Sequence, residues 1–146
     1  CIDDYVDQHP DVDRNRIYLG GCSNGGYMTV HMLIRNPRYF AAAYPTCQAY
    51  SDINISDNEI KALAEENIWF VQSYDDTTVD AKTHCIPTFQ RLVFNDAVTM
   101  SQEQSEGDVK PNNNGGGTVA PQGHANLFEW MNAQVLTAPE ITNPRW

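Results

Sequence analysis

The chain has 146 residues, 41% of them hydrophobic, and a formal net charge of −10 with nine Lys and Arg in total. That length suits a single domain burying roughly two-thirds of the surface its unfolded chain exposes, and no apolar run approaches the roughly 20 residues that cross a bilayer. The acidic balance and the scatter of the basic residues argue against nucleic acid and against a membrane surface as partners, since both need clustered cations to neutralise phosphate.

The chain opens at Cys1, and Ile2, Tyr5 and Val6 already repeat at helical spacing. An opening inside a helix is what a fragment or a processed product would give. His9-Pro10-Asp11 breaks that helix, and residues 16–20 are a predicted short strand. The next predicted helix covers residues 27–35, with Met28, Met32 and Leu33 on one face and an end near Asn36-Pro37.

Residues 40–44 are a second apolar run, consistent with a buried parallel strand, and residues 57–66 form a predicted helix with Asp57 as N-cap and Ile60 and Leu63 inward. A third strand over 68–74 leads into Asp75-Asp76-Thr77-Thr78 and a helix over 81–94 that Pro87 should kink. Residues 97–102 are a weaker fourth strand, and residues 106–122, around Asn112-Asn113-Asn114-Gly115-Gly116-Gly117, carry no hydrophobic pattern. Leu127, Trp130 and Met131 mark a closing helix. Helices alternating with short strands imply right-handed βαβ units, a parallel sheet and the α/β class.

The four cysteines, at 1, 22, 47 and 85, form no CxxC pair, and no histidine stands at zinc-site spacing from two of them. They permit two disulfides in an oxidising compartment without requiring any. Asp11-Val12-Asp13-Arg14-Asn15 imitates the start of a calcium loop, but Arg16 stands where glycine is needed and Cys22 where the bidentate glutamate belongs. The expectation is no metal and no cofactor. Asn54-Ile55-Ser56 is a glycosylation sequon, a triplet too frequent by chance to fix a compartment.

The chemistry centres on Gly21-Cys22-Ser23-Asn24-Gly25, set between the apolar run Ile17-Tyr18-Leu19 and a helix. This is the context of the nucleophile elbow, in which a strained strand-to-helix turn exposes a serine and flanking glycines avoid collision with the neighbouring strand and helix. Ser23 is the candidate nucleophile. The backbone N–H of Asn24 is a candidate oxyanion donor, supported by the helix N-terminus; a second donor normally comes from an earlier loop, and nothing ahead of Ser23 supplies it.

Asp75 and Asp76 both follow the third strand, where a carboxylate would orient the base. Asp76 is preferred, because Asp76-Thr77-Thr78-Val79 resembles the D-x-x-V turn that carries the acid in many α/β-hydrolases. A solvated turn capping the next helix is the plainer alternative. Gly123-His124, in the late loop before the closing helix, provides the candidate base, and His9, His31 and His84 are worse placed. His124 could otherwise be a helix-capping residue, yet Ser23, Asp76 and His124 fall in the chain order Ser, Asp, His.

Residues 13–28, Asp13-Arg14-Asn15-Arg16-Ile17-Tyr18-Leu19-Gly20-Gly21-Cys22-Ser23-Asn24-Gly25-Gly26-Tyr27-Met28, resemble the elbow region of prolyl-oligopeptidase-like α/β-hydrolases and of related polyhydroxybutyrate-depolymerase and feruloyl-esterase type enzymes. Ala41-Ala42-Ala43-Tyr44-Pro45, Ile68-Trp69-Phe70-Val71 with Asp76-Thr77-Thr78-Val79, and Gly123-His124 match later blocks in the same order. The resemblance implies a parallel-sheet α/β-hydrolase fold with about four C-terminal strands and flanking helices, residues 1–146 being the C-terminal part of a catalytic domain. It further implies a serine hydrolase of small esters or peptides, with Ser23 as nucleophile, His124 as base and Asp76 as orienting acid. Esters are preferred because the resembling families are rich in esterases.

Three departures stand out. Gln72-Ser73 replaces the His-Gly often found ahead of the acid loop, and Ala125 removes the cysteine that tannase-like feruloyl esterases bridge to the one before the serine. In this fold Cys22 and Cys47 would lie at the ends of adjacent strands, as a disulfide or as two buried thiols. The elbow strand is central in the family, so residues 16–20 would otherwise be an exposed edge that a second chain or self-association completes. The competing reading is an inactive hydrolase-like module for binding or assembly.

Overall fold

The computed structural model describes residues 1–73, 75–95 and 127–136. Its centre is a βαβ unit: β1 (Tyr18–Cys22) and β2 (Ala42–Thr46) run parallel and are joined by α2 (Asn24–Arg35). The register sets Tyr18 against Ala42 and Cys22 against Thr46. The 68–71 segment continues the sheet on the far side of β2 through parallel bridges from Ile68 to Ala43 and from Val71 to Thr46. No strand pairs with the other edge of β1 among the described residues.

Strand alternation sorts the side chains into two layers. Leu19, Ala43, Ile68 and Phe70 face α2 together with α3 (Asp57–Leu63) and α4 (Cys85–Phe94), and Val30, Leu33, Ile60, Leu63, Phe89 and Leu92 complete this aliphatic core. Tyr18, Ala42, Tyr44, Trp69 and Val71 face the opposite way, onto α5 (Leu127–Ala133). Trp69 and Trp130 meet edge-to-face with centroids 5.4 Å apart, a geometry worth about 1 kcal/mol beyond the area buried. Arg16 Nη1 donates to the Asn132 carbonyl at 2.7 Å and the Leu136 N–H to the Asn15 carbonyl at 3.1 Å, tying this end of the chain to the entrance of β1.

The parallel α/β architecture is the one the sequence implies, with boundary changes that have local causes. The opening helix is α1 (Ile2–Gln8). β1 starts two residues later than expected because Asp13 caps a 3-10 turn over Arg14–Arg16, accepting the Asn15 N–H at 2.9 Å. In α2 the inward face is Gly26, Thr29, Val30 and Leu33, and Met28, expected inward, is exposed. Ser56 rather than Asp57 caps α3, in a reciprocal capping box with Glu59. Pro87 lies in the first turn of α4, where no backbone N–H is needed, so the helix begins at Cys85 and is not interrupted there. The expected strand over 97–102 and the loop over 106–122 lie outside the described residues.

Candidate active site

Ser23 stands at the junction of β1 and α2 with φ 57° and ψ −113°, one of three non-glycine residues at positive φ among those described. Such backbone costs about 1–3 kcal/mol and persists only where its surroundings enforce it. Here the enforcement is visible. The Ser23 N–H donates to the Thr46 carbonyl at 2.9 Å, and the Ser23 carbonyl accepts the N–H groups of Tyr27 at 2.9 Å and Ala49 at 3.3 Å. The residue is exposed at the carboxyl edge of the sheet, and Asn24 begins α2 with an N–H that has no intrahelical acceptor.

The glycines around Ser23 are not equivalent. A Cβ on Gly21 would lie 2.6 Å from the Gly25 carbonyl, and one on Gly26 would lie 2.7 Å from the Thr46 oxygen and 2.8 Å from Gln48 Cα. Gly25 has nothing within 4 Å of its ideal Cβ position. The expectation that both glycines flanking the serine avoid collisions therefore holds for Gly21 and fails for Gly25. Gly26, one position later, is the glycine that lets α2 lie against the end of β2.

The loop that carries Asp76 is built after the 68–71 segment. Asp76 Oδ1 accepts the N–H of Thr78 at 2.8 Å and of Val79 at 2.9 Å, and these donors hold its carboxyl below the usual carboxylate range. Buried Val79 anchors the turn from below. Asp75, the other candidate, takes its hydrogen bond from the Ser73 hydroxyl. Gln72 Nε2 donates to the carbonyls of Ser73 and Val79 at 3.1 Å each, so the residue that departs from the family's usual block fastens both ends of the loop.

Cys47, not singled out for such a role in the sequence, ties the end of β2 to the 68–71 segment. It follows β2 at φ 44°, and its N–H donates to the Val71 carbonyl at 2.7 Å. Burial, then the negative charge of Asp76, pushes the thiol above its ordinary range. Cys22 and Cys47 are free thiols, not a disulfide. No residue pattern announces the bond from Cys47 to Val71, because 24 positions separate them.

His124 lies outside the described residues. The rival histidines are engaged elsewhere: His9 stacks on Tyr5 with centroids 3.8 Å apart, His31 packs beside Tyr27 and Tyr50, and His84 Nδ1 meets the Asp80 carbonyl at 3.0 Å. Among the described residues no group of three or more His, Cys, Asp or Glu is arranged to hold a metal ion.

Comparison with known families matches residues 1–83, more than half of the chain, to the prolyl oligopeptidase family. The chain belongs to the prolyl oligopeptidase family. The matched stretch contains Ser23 and Asp76, and His124 lies beyond it. Among solved structures the chain is similar to one described as the crystal structure of a thermostable esterase, with 26% identity and a TM-score of 0.56. That likeness covers 65% of this chain and 24% of the esterase chain, so the chain spans about a quarter of its length. Comparison with curated proteins finds no match. The fold is accordingly that of an α/β-hydrolase, with Ser23 following β1 and Asp76 following the 68–71 segment of its parallel sheet.

Proposed function

We propose that this chain is the C-terminal part of a serine hydrolase catalytic domain, with Ser23 as nucleophile, His124 as general base and Asp76 as the acid that orients it. The observation that carries the reading is the backbone of Ser23, held exposed at φ 57° between a parallel strand and a twelve-residue helix. Supporting it, Asp76 sits after the next strand segment and is held ionised by two backbone N–H groups.

In this reading His124 removes the Ser23 hydroxyl proton as Oγ attacks a carbonyl carbon, Asp76 balances the imidazolium, and the Asn24 N–H stabilises the oxyanion. The leaving alcohol or amine takes the proton from His124, and water then resolves the acyl-enzyme. Small carboxylic esters are the proposed substrates, in preference to peptides, in keeping with the likeness to the thermostable esterase.

The test is labelling of the folded protein with a fluorophosphonate, followed by peptide mapping. The expected adduct is on Ser23 and is lost in Ser23→Ala and in His124→Ala. A folded sample of the complete chain that hydrolyses p-nitrophenyl acetate no faster than Ser23→Ala would overturn the assignment and leave the binding-module reading in its place.

A further inference from the structure

Gln48 is fully buried just past β2 and lies against the first turn of α2: a Cβ on Gly26 would be 2.8 Å from its Cα and 3.0 Å from its Cβ. Its Oε1 accepts the Tyr50 N–H at 2.7 Å. Since a backbone N–H only donates, that bond fixes which end of the amide is the oxygen. The other end, Nε2, is buried with no acceptor among the described residues, and an unsatisfied donor of this kind works against stability. Packing alone would be served better by an apolar side chain of the same length, so the bond to Tyr50 is what sets glutamine apart here.

That bond closes a short loop around the proposed nucleophile. Tyr50 is held through its N–H by Gln48 and through its ring by Tyr27, with centroids 4.7 Å apart. Ala49, between Gln48 and Tyr50, sends its N–H to the Ser23 carbonyl at 3.3 Å, and the same carbonyl accepts the Tyr27 N–H at 2.9 Å. The Ser23 carbonyl and the Asn24 N–H belong to one planar trans peptide, so two donors on the oxygen aim the N–H the opposite way. They also polarise it, as chained hydrogen bonds do. We infer that Gln48 is a positioning residue for the oxyanion donor, acting through residues 49 and 50 on the peptide that joins Ser23 to Asn24. The role rests on the proposed reading of Ser23 as nucleophile and of the Asn24 N–H as the donor to its oxyanion.

The contact is tested without turnover by amide hydrogen exchange in the complete chain. Gln48→Met keeps the length of the side chain and removes the acceptor, and it is expected to speed exchange at Ala49 and Tyr50 about tenfold or more. Because it removes the unsatisfied donor together with the bond, its melting midpoint should stay within about 3 °C of the parent. Unchanged exchange at both amides, or a midpoint lower by more than about 10 °C, would overturn the role, the second by making Gln48 a support of the fold at large.

Activity of the complete chain supplies the second readout. In Gln48→Met, kcat on p-nitrophenyl acetate is expected to fall about tenfold with KM within about twofold, since an oxyanion donor acts on the transition state and not on the bound ester. A trifluoromethyl ketone, which forms a tetrahedral oxyanion adduct with a nucleophilic serine, should bind about tenfold more weakly. Gln48→Glu, protonated in so buried a place and then shaped like the amide, keeps an acceptor for Tyr50 and should return both values to within about threefold at about pH 6. Equal losses in the two variants, or a raised KM at unchanged kcat, would overturn the positioning role. Full activity in Ser23→Ala would instead remove the nucleophile reading, and with it the role of Gln48, while the exchange result would stand.

Discussion

The Ser23 N–H donates to the Thr46 carbonyl at 2.9 Å, so the proposed nucleophile is anchored to the end of the neighbouring strand and not only to its own. The next residue after Thr46 is Cys47, whose N–H donates at 2.7 Å to the carbonyl of Val71, in the segment that leads to Asp76. The spacing between the proposed nucleophile and the proposed acid is thereby set by β2, a strand buried along most of its length. Rigid support of this kind is what a preorganised site requires.

The strain at Ser23 predicts an ordering of variants. Ser23→Gly removes the Cβ that makes φ 57° costly, whereas Ser23→Ala keeps it. Urea unfolding should find Ser23→Gly more stable than Ser23→Ala by about 1 kcal/mol. The reverse order would mean that the elbow relaxes to ordinary backbone once the hydroxyl is gone.

Gly25 and Gly26 should respond oppositely to alanine. At Gly26 the added methyl meets the Thr46 oxygen and Gln48 Cα, which predicts a loss of about 2 kcal/mol or more, in the range of core overpacking. At Gly25 it meets open space inside a helix, which predicts no loss and a gain of up to about 1 kcal/mol from helix propensity. Thermal melts of the two variants decide the matter.

Glu66 makes stability depend on pH. Its carboxyl is buried and accepts the Arg38 N–H at 2.5 Å, and burial raises it from 4.5 to about 7. The folded state therefore holds this proton more tightly than the unfolded chain. Its contribution is fully present below the unfolded value and is lost as pH rises through the folded one, a window from about 4.5 to 7. Glu66→Gln should flatten that loss and be more stable than the parent at pH 8, by an amount on the order of 2 kcal/mol, with little difference at pH 4.5 in chemical denaturation. Equal pH slopes for the two proteins would refute the assignment.

Arg91 pairs with two aspartates of unequal weight. Asp52 is largely buried, takes Arg91 Nη1 at 3.0 Å and also accepts the Thr88 hydroxyl at 2.8 Å, whereas Asp57 is almost fully exposed at 92%. Asp52→Ala is expected to cost about 2 kcal/mol because it strips both partners. Asp57→Ala should cost about 0.5 kcal/mol or less. Comparable urea midpoints for the two would contradict this division.

Much of the fold could be read from the chain because it rests on local signals. Apolar runs over short distances, Asn36-Pro37 after a helix and the pentad at a strand end each declare themselves within a few residues. Where the structure departs from that reading, a contact from far along the chain decides the outcome. The apolar character of Met28 points it inward, but the face of α2 is chosen by Gly26, which fits under residues 46 and 48. The turn of Asp76 is marked by its position after a strand, while the bond from the Cys47 N–H to the Val71 carbonyl joins two separate elements and leaves no pattern. Gln72 looked like a weakened family block, and its two hydrogen bonds give it a clear structural task.

The edge-to-face contact of Trp69 with Trp130 has a practical consequence. Trp130 sits on α5, a few positions after His124, and Trp69 lies in the strand segment that leads to Asp76. Their intrinsic fluorescence thus serves as a built-in optical gauge of whether the late helix is docked. Seating of that end of the chain can be followed spectroscopically, apart from any catalytic assay.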